Sequence, residues 1–326
     1  MKAIVTGGAG FIGSHLIEGL LEEGHEVTCV ERQGGTPGWI RHLPVAFEPI
    51  GLDDVAALQG VFEGVDVVFH LAGLTEAARP SDLYQVNTEG TAQVLRAAAA
   101  FNGSAPRVIL MSSLAASGPC RNGDPLSPDS VPFPLSHYGN SKLLAEAMMH
   151  AYEDRVRTTI IRLPSAYGPR ERSVLTLFRM IKRGIALTIG GWERPVSLIY
   201  VKDVVQGLLA AARCDAAVGR TYCLAHPDPV TWAEFADAGG RAIGRSPVLL
   251  SLPSAAARPI ALACELAARV ARRAAVLNRD RVRELSQQSW VCDPSRAIDE
   301  IGFAPAWPLD RGAAETVSWY RKEAWL

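Results

Sequence analysis

Met1-Lys2-Ala3-Ile4-Val5-Thr6-Gly7-Gly8-Ala9-Gly10-Phe11-Ile12-Gly13 opens the chain and decides its architecture. Ala3 to Val5 is a short apolar run that breaks into a turn with glycines at 7, 10 and 13. Phe11, Ile12, Leu16, Ile17, Leu20 and Leu21 follow at helical spacing. A strand, a glycine turn and a helix N-terminus in that order present free backbone N–H groups to a pyrophosphate. Gly7 allows the tight turn, Gly10 the approach of the phosphates, and Gly13 the packing of helix on strand. Glycines alone are weak evidence, because turns use them freely. Here the triplet sits on the first strand, opens a helix, and is followed by an acidic residue, Glu31, after the next strand.

Outward from this stretch, apolar runs at 27–30, 65–69, 108–111 and 159–161 alternate with helical patterns at 54–63, 82–101 and 139–154. Such alternation predicts an α/β protein with a Rossmann-type, doubly wound parallel sheet, whose ligands bind beyond the C-terminal strand ends. After residue 165 the pattern loosens into helical runs at 173–184, 202–213, 231–243 and 255–276, with turns such as Gly190-Gly191 between them. The expected division is a nucleotide-binding domain over 1–165, with 196–225 returning to it. A smaller, mostly helical substrate-binding portion, interleaved with it, takes up most of 166–326.

With 326 residues, 48% hydrophobic and 21% charged, the chain has the composition of a globular protein with a sizeable core. A net charge of -1 gives no reason to expect nucleic acid or an anionic membrane as partner. Six scattered cysteines form no CxxC pair and no Cys/His cluster at metal spacing, so they read as reduced core residues and no metal is expected. The chain begins on a core strand, so no signal peptide is expected. Arg258, Glu265, Arg269 and Arg272 interrupt the alanine-rich stretch 255–276, which reads as a packed amphipathic helix, with a surface-lying role left open. These readings together predict a soluble, cytoplasmic protein without stable membrane insertion.

Three further signals carry chemistry. Tyr138-Gly139-Asn140-Ser141-Lys142 sets a phenol and an ammonium four residues apart on one helix face. A cation beside a phenol favours the phenolate, which suits tyrosine to acid/base work. By itself this spacing more often means a surface Tyr and a solvated Lys. Ser112-Ser113 follows an apolar strand and could offer a hydroxyl to a substrate oxygen; on its own it is a routine turn. Asn87, in Asn87-Thr88-Glu89-Gly90-Thr91, reads alone as an ordinary polar helix position.

Together with the glycine turn, these segments resemble the extended short-chain dehydrogenase/reductase family. His70-Leu71-Ala72-Gly73, Arg162-Leu163-Pro164-Ser165-Ala166-Tyr167-Gly168-Pro169 and Tyr200-Val201-Lys202-Asp203-Val204 extend the likeness, and Glu315 to Arg321 resembles the family's last helix. The resemblance implies that Tyr138 is the general acid/base, that Lys142 lowers its pKa and bonds the nicotinamide ribose, and that Ser113 polarises the substrate oxygen. It implies a dinucleotide lying along Gly7, Gly10, Phe11, Ile12 and Gly13, then Leu71, Ala72 and Gly73, with Ser112 among its contacts and Pro164 near the nicotinamide. Asn87 is expected beside the cofactor, bracing the sheet more than reacting. A homodimer through the 82–101 and 139–154 helices is also implied. Two positions depart from the family: Ser117 stands where a tyrosine is common, and Gly51 fills a slot often held by Asp, with Asp53 and Asp54 shifted downstream.

Glu31 can accept hydrogen bonds from both ribose hydroxyls, which favours NAD; Arg32 could instead pair with the 2′-phosphate of NADP. For the substrate, Thr75, Ser113, Ser165 and Trp192 are the expected contacts. Nucleotide-sugar enzymes of the family usually carry an Asn in the segment occupied here by Leu163-Pro164-Ser165, and an Arg where Val196 stands. Arg194 and Arg170 are the cations that could substitute. The segments look more like the 3β-hydroxysteroid dehydrogenase and dihydroflavonol reductase branches, whose substrates are apolar. A dehydrogenase acting on a secondary alcohol or ketone leads. An epimerase or dehydratase recycling NAD follows, and a non-catalytic nucleotide-binding module comes third.

Overall fold

The computed structural model describes residues 1–101, 104–270, 275 and 277–326. Six strands, β1 (Lys2–Thr6), β2 (Glu26–Val30), β3 (Ala46–Glu48), β4 (Val67–His70), β5 (Arg107–Ser113) and β6 (Thr158–Leu163), join a seventh, Arg220–Cys223, in one parallel sheet. From one edge the order is Arg220–Cys223, β6, β5, β4, β1, β2, β3. The winding reverses between β1 and β4, and a crevice opens at such a switch point.

Strand alternation divides the interior into two layers. Ala3 and Val5 of β1 enter a core shared with the helices Phe11–Glu22 and Val201–Arg213, and Ile4 enters the opposite one. That second core packs the helices Val55–Phe62, Gly90–Ala98 and His137–Ala151. Buried on both faces, the strands need continuous apolar runs rather than alternating ones, and every residue of β6 is buried.

The helical pattern at 82–101 resolves into Pro80–Leu83, a π-turn Tyr84–Glu89 and Gly90–Ala98. Periodicity cannot reveal the π-turn, because one widened turn barely disturbs a 3.6-residue pattern; such turns cluster at functional sites. The second half carries more strand than its pattern predicts. Ser165–Tyr167 pairs with Leu198–Tyr200, Pro195–Val196 with Val230–Thr231, and Ile185–Ile189 with Val248–Leu252. These strands are short and meet partners distant in sequence, so local patterning gives little sign of them. An aromatic core of Tyr167, Phe178, Tyr200, Phe235 and Tyr320 ties this region together. The alanine-rich helix runs Ser254–Val270; the remainder of the 255–276 expectation, at 271–274 and 276, lies outside the described residues.

Candidate active site

At the C-terminal edge of β1 the chain turns at Gly7 with φ +71°, where a Cβ would stand 2.8 Å from the backbone of Ala72. A Cβ at Gly13 would run into the Gly7 carbonyl. The helix Phe11–Glu22 has no side-chain cap at Gly10, so no side chain satisfies the first N–H groups of the helix. These donors and the positive end of the helix dipole suit a pyrophosphate. Beyond β2, Glu31 accepts the Ala9 N–H at 3.0 Å and stays half-exposed, while Arg32 is exposed. Asp54, one of the shifted acids, is engaged as a helix cap, accepting the Ala57 N–H at 3.0 Å. The glycine turn, the uncapped helix and the Glu31 carboxylate fit a dinucleotide.

A buried relay fixes the next segment. His70 bridges Thr6 at 2.8 Å and Thr91 at 3.0 Å, and Thr6 also accepts the Ala72 N–H. Burial pulls the His70 pKa down to about 3, with the Lys142 charge adding to the effect, so the ring is neutral. Asn87 does not brace the sheet, and its carboxamide is not left for a cofactor. The π-turn carries it beneath the loop after β4. There it accepts from Leu74 N at 2.7 Å and donates to Leu74 O and to Ser141 Oγ, each at 2.9 Å. It fastens the Leu71-Ala72-Gly73 loop to the helix His137–Ala151. Gly73 lies over this junction, where a Cβ would come 3.4 Å from Lys142 Nζ.

The two serines at the end of β5 part company. Successive strand side chains face opposite ways. Ser112 is buried and donates to Glu146 at 2.5 Å, so its hydroxyl is engaged by the helix His137–Ala151. Ser113 faces the cavity described below. Its hydroxyl caps the next turn through Ala115 N and lies beside the Tyr138 phenol, favouring the phenolate.

Tyr138 is the second residue of the helix His137–Ala151, which Ser136 caps by accepting the Gly139 N–H at 3.0 Å. Burial raises its pKa, Ser113 opposes the rise, and nearby Glu284 adds to it. One turn on, Lys142 is 5% exposed and donates to the Met111 carbonyl at 2.8 Å. Burial lowers its pKa to about 8, and Glu146 opposes the fall. Glu146 takes two hydrogen bonds from Arg162, at 3.0 and 2.7 Å. Sequence reading quoted Arg162 only as part of a motif and missed Glu146. The signal was available, since 138, 142 and 146 share one helical face.

A cavity of about 1170 Å³ opens over these groups. Ser113, Tyr138, Pro164, Ser165, Thr75 and Trp192 all line it, and Leu187, Ile189, Leu252 and Ile260 line another part of its wall. Trp192 is held by its indole N–H donating to Leu250 O at 3.0 Å. Arg170 is bound to Glu18 at 2.6 and 3.1 Å and to Ser14, and Arg194 donates to Leu285 O at 2.6 Å.

The model of the NAD dependent epimerase/dehydratase family matches residues 3–225. The chain is 28% identical over 322 residues to a ceramide reductase of Caulobacter vibrioides, covering 99% of this chain and 95% of that one. It is 28% identical over 349 residues to UDP-glucuronic acid decarboxylase 1 of Xenopus tropicalis, covering 99% and 72%. In fold it resembles the crystal structure of a UDP-glucose 4-epimerase from Thermotoga maritima, with a TM-score of 0.81, 22% identity and coverage of 99% and 100%. Strand order, glycine turn and a match over more than half of the chain agree: it belongs to the NAD-dependent epimerase/dehydratase family, the extended short-chain dehydrogenases/reductases.

Proposed function

We propose that the chain is an NAD-dependent oxidoreductase that interconverts a ketone and a secondary alcohol on an apolar substrate. The cavity carries this reading. Tyr138 and Ser113 line it together with aliphatic side chains, while Arg170 and Arg194, the two cations that the sequence offered for a diphosphate, are tied to Glu18 and Leu285. The ceramide reductase, matched end to end, acts by its name on a substrate of that kind.

Bound NAD supplies hydride exchange at the substrate carbon. The chain's own residues do the rest. Glu31 would receive the adenosine ribose and the N–H groups at Phe11, Ile12 and Gly13 would receive the pyrophosphate. Lys142 would bond the nicotinamide ribose. In the reducing direction Tyr138 would give its proton to the carbonyl oxygen, and Ser113 would donate to the same oxygen. The raised Tyr138 pKa keeps that proton in place at neutral pH. The helix N-terminus and the Lys142 ammonium then stabilise the phenolate, which regains a proton from solvent.

Two measurements test this. Denaturing fresh protein and weighing the released nucleotide separates a reversible cofactor from one retained through the cycle. Oxidation of NADH with apolar ketones follows. Turnover that Tyr138→Phe lowers by about 10³-fold, with NAD binding kept, supports the reading; undiminished turnover overturns it. Near-stoichiometric NAD and no ketone reduction favours the second reading, a nucleotide-sugar epimerase or dehydratase. Arg281 motivates that alternative: it lines the cavity and lies close enough to Tyr138 to lower its pKa. UDP-sugar affinity lost in Arg281→Ala would support it. We also propose a homodimer through the helices over 80–98 and 137–151, which sedimentation at micromolar concentration checks.

A further inference from the structure

The helix Ser254–Val270 is inside out. Its inward side is small, with Ala257 and Ala261 buried against Ile189 and Val282. Its outward side presents Ala255, Ala256, Pro259, Ile260, Leu262, Ala263, Leu266 and Ala267, and Arg258 is its one exposed charge up to Ala268. Leu262 is 44% and Leu266 54% exposed. A surface helix of a soluble protein ordinarily turns its polar side to water.

The neighbouring strands repeat the pattern. Ile185 pairs with Val248 and Leu187 with Leu250, so the four side chains share one face of this two-stranded sheet. All four are exposed, Val248 by 62%. Leu187 and Ile260 belong both to this surface and to the lining of the cavity over Tyr138, so the apolar surface meets the cavity of the candidate active site.

Charge identifies the occupant. Exposed Lys182 and Arg183 precede the first strand, and exposed Arg245 precedes the second. No Asp or Glu occurs from Arg172 to Trp192 inclusive or from Ala238 to Cys264 inclusive, while these stretches hold seven Lys and Arg. Arg241 among them is paired with Asp310. The chain's net charge of -1 conceals this asymmetry. An apolar face edged by cations matches an anionic bilayer surface, where aliphatic side chains enter the acyl boundary and each cation adds attraction. Among the described residues no helix is long and apolar enough to cross a membrane, so the match is to a surface.

We propose that this face docks on an anionic phospholipid membrane and that the cavity takes a long-chain lipid ketone or alcohol directly from it. The lipid-substrate part rests on the oxidoreductase reading; the docking does not.

Flotation of the full chain with vesicles separates the two. The expected result is co-flotation with phosphatidylcholine–phosphatidylglycerol vesicles, weaker with phosphatidylcholine alone and reversed by high salt. Leu262→Ser with Leu266→Ser should reduce the bound fraction at least tenfold, and Arg183→Glu with Arg245→Glu should reduce it on anionic vesicles only. None of these residues lines the cavity, so an unchanged melting temperature and unchanged turnover of a short, water-soluble ketone confirm that the variants are folded. Absence of flotation with ketone turnover intact overturns the docking and leaves the oxidoreductase reading standing. Flotation without turnover of any ketone overturns the lipid-substrate part and leaves the docking. A dimer that the leucine variants dissociate, with no vesicle binding, makes the face a subunit interface and overturns the proposal.

Discussion

Ser112 donates to Glu146 across 2.5 Å while its neighbour Ser113 opens into the cavity, so two adjacent serines serve opposite sides of one strand. Glu146 is the hub of the inner side. It joins Ser112, the buried Arg162 guanidinium and, one turn away, the field at Lys142. Removing one partner of a buried pair leaves the other charge uncompensated. Glu146→Gln is therefore expected to cost about 3 kcal/mol in urea unfolding. Leu144→Ala, at an exposed position of the same helix, serves as the mild control.

Lys142 has an ordinary pKa of 10.5 and is held at about 8 by burial. The folded protein gives up this proton before the unfolded chain does. Between about 8 and 10.5 the unfolded state binds more protons, so the Lys142 contribution to stability rises with pH across that window. If the Lys142 ammonium favours the Tyr138 phenolate, activity moves the other way, because that charge is lost above about pH 8. The expected profile of kcat/KM falls on the alkaline side near pH 8, and Glu146→Gln shifts that limb to lower pH.

His70 behaves as a buried neutral base, with its pKa lowered from 6.5 to about 3. Below pH 6.5 the unfolded chain takes up a proton that the folded state refuses, so stability falls as pH falls. The expected loss is about 1.4 kcal/mol per pH unit from 6 towards 4. Guanidinium unfolding at pH 7 and pH 5 measures it. His70→Gln should be less stable at pH 7 and less sensitive to the change, since glutamine does not titrate.

Glu31 sets the nucleotide preference if its carboxylate receives the adenosine ribose. A 2′-phosphate there meets a negative charge. Glu31→Gln should improve the affinity for NADP relative to NAD by about tenfold, or about 1.4 kcal/mol. Calorimetric titration of both nucleotides reads this directly, and an unchanged ratio removes Glu31 from the specificity argument.

Much of this architecture is readable from local spacing. The first thirteen residues hold a strand, a turn and a helix start because the forces that make them act between neighbours. Tyr138, Lys142 and the overlooked Glu146 share a helix face for the same reason. Asn87 was legible as a residue worth naming but not in its role, because a π-turn and a loop from another strand decide what its carboxamide meets. Likewise, the alternation that sends Ser112 inward and Ser113 outward is predictable, yet which side faces the nucleotide is not.

The sequence by itself determined the parallel sheet, the dinucleotide turn and the phenol–ammonium pair, all products of short-range periodicity and backbone geometry. Only the tertiary structure decided that Ser113 meets Tyr138, that Arg170 and Arg194 are occupied by Glu18 and Leu285, and that Ser254–Val270 turns its leucines outward. Those outcomes depend on contacts between segments far apart in the chain. A helix's pattern shows that it has two faces, but the partner it packs against chooses which one is buried.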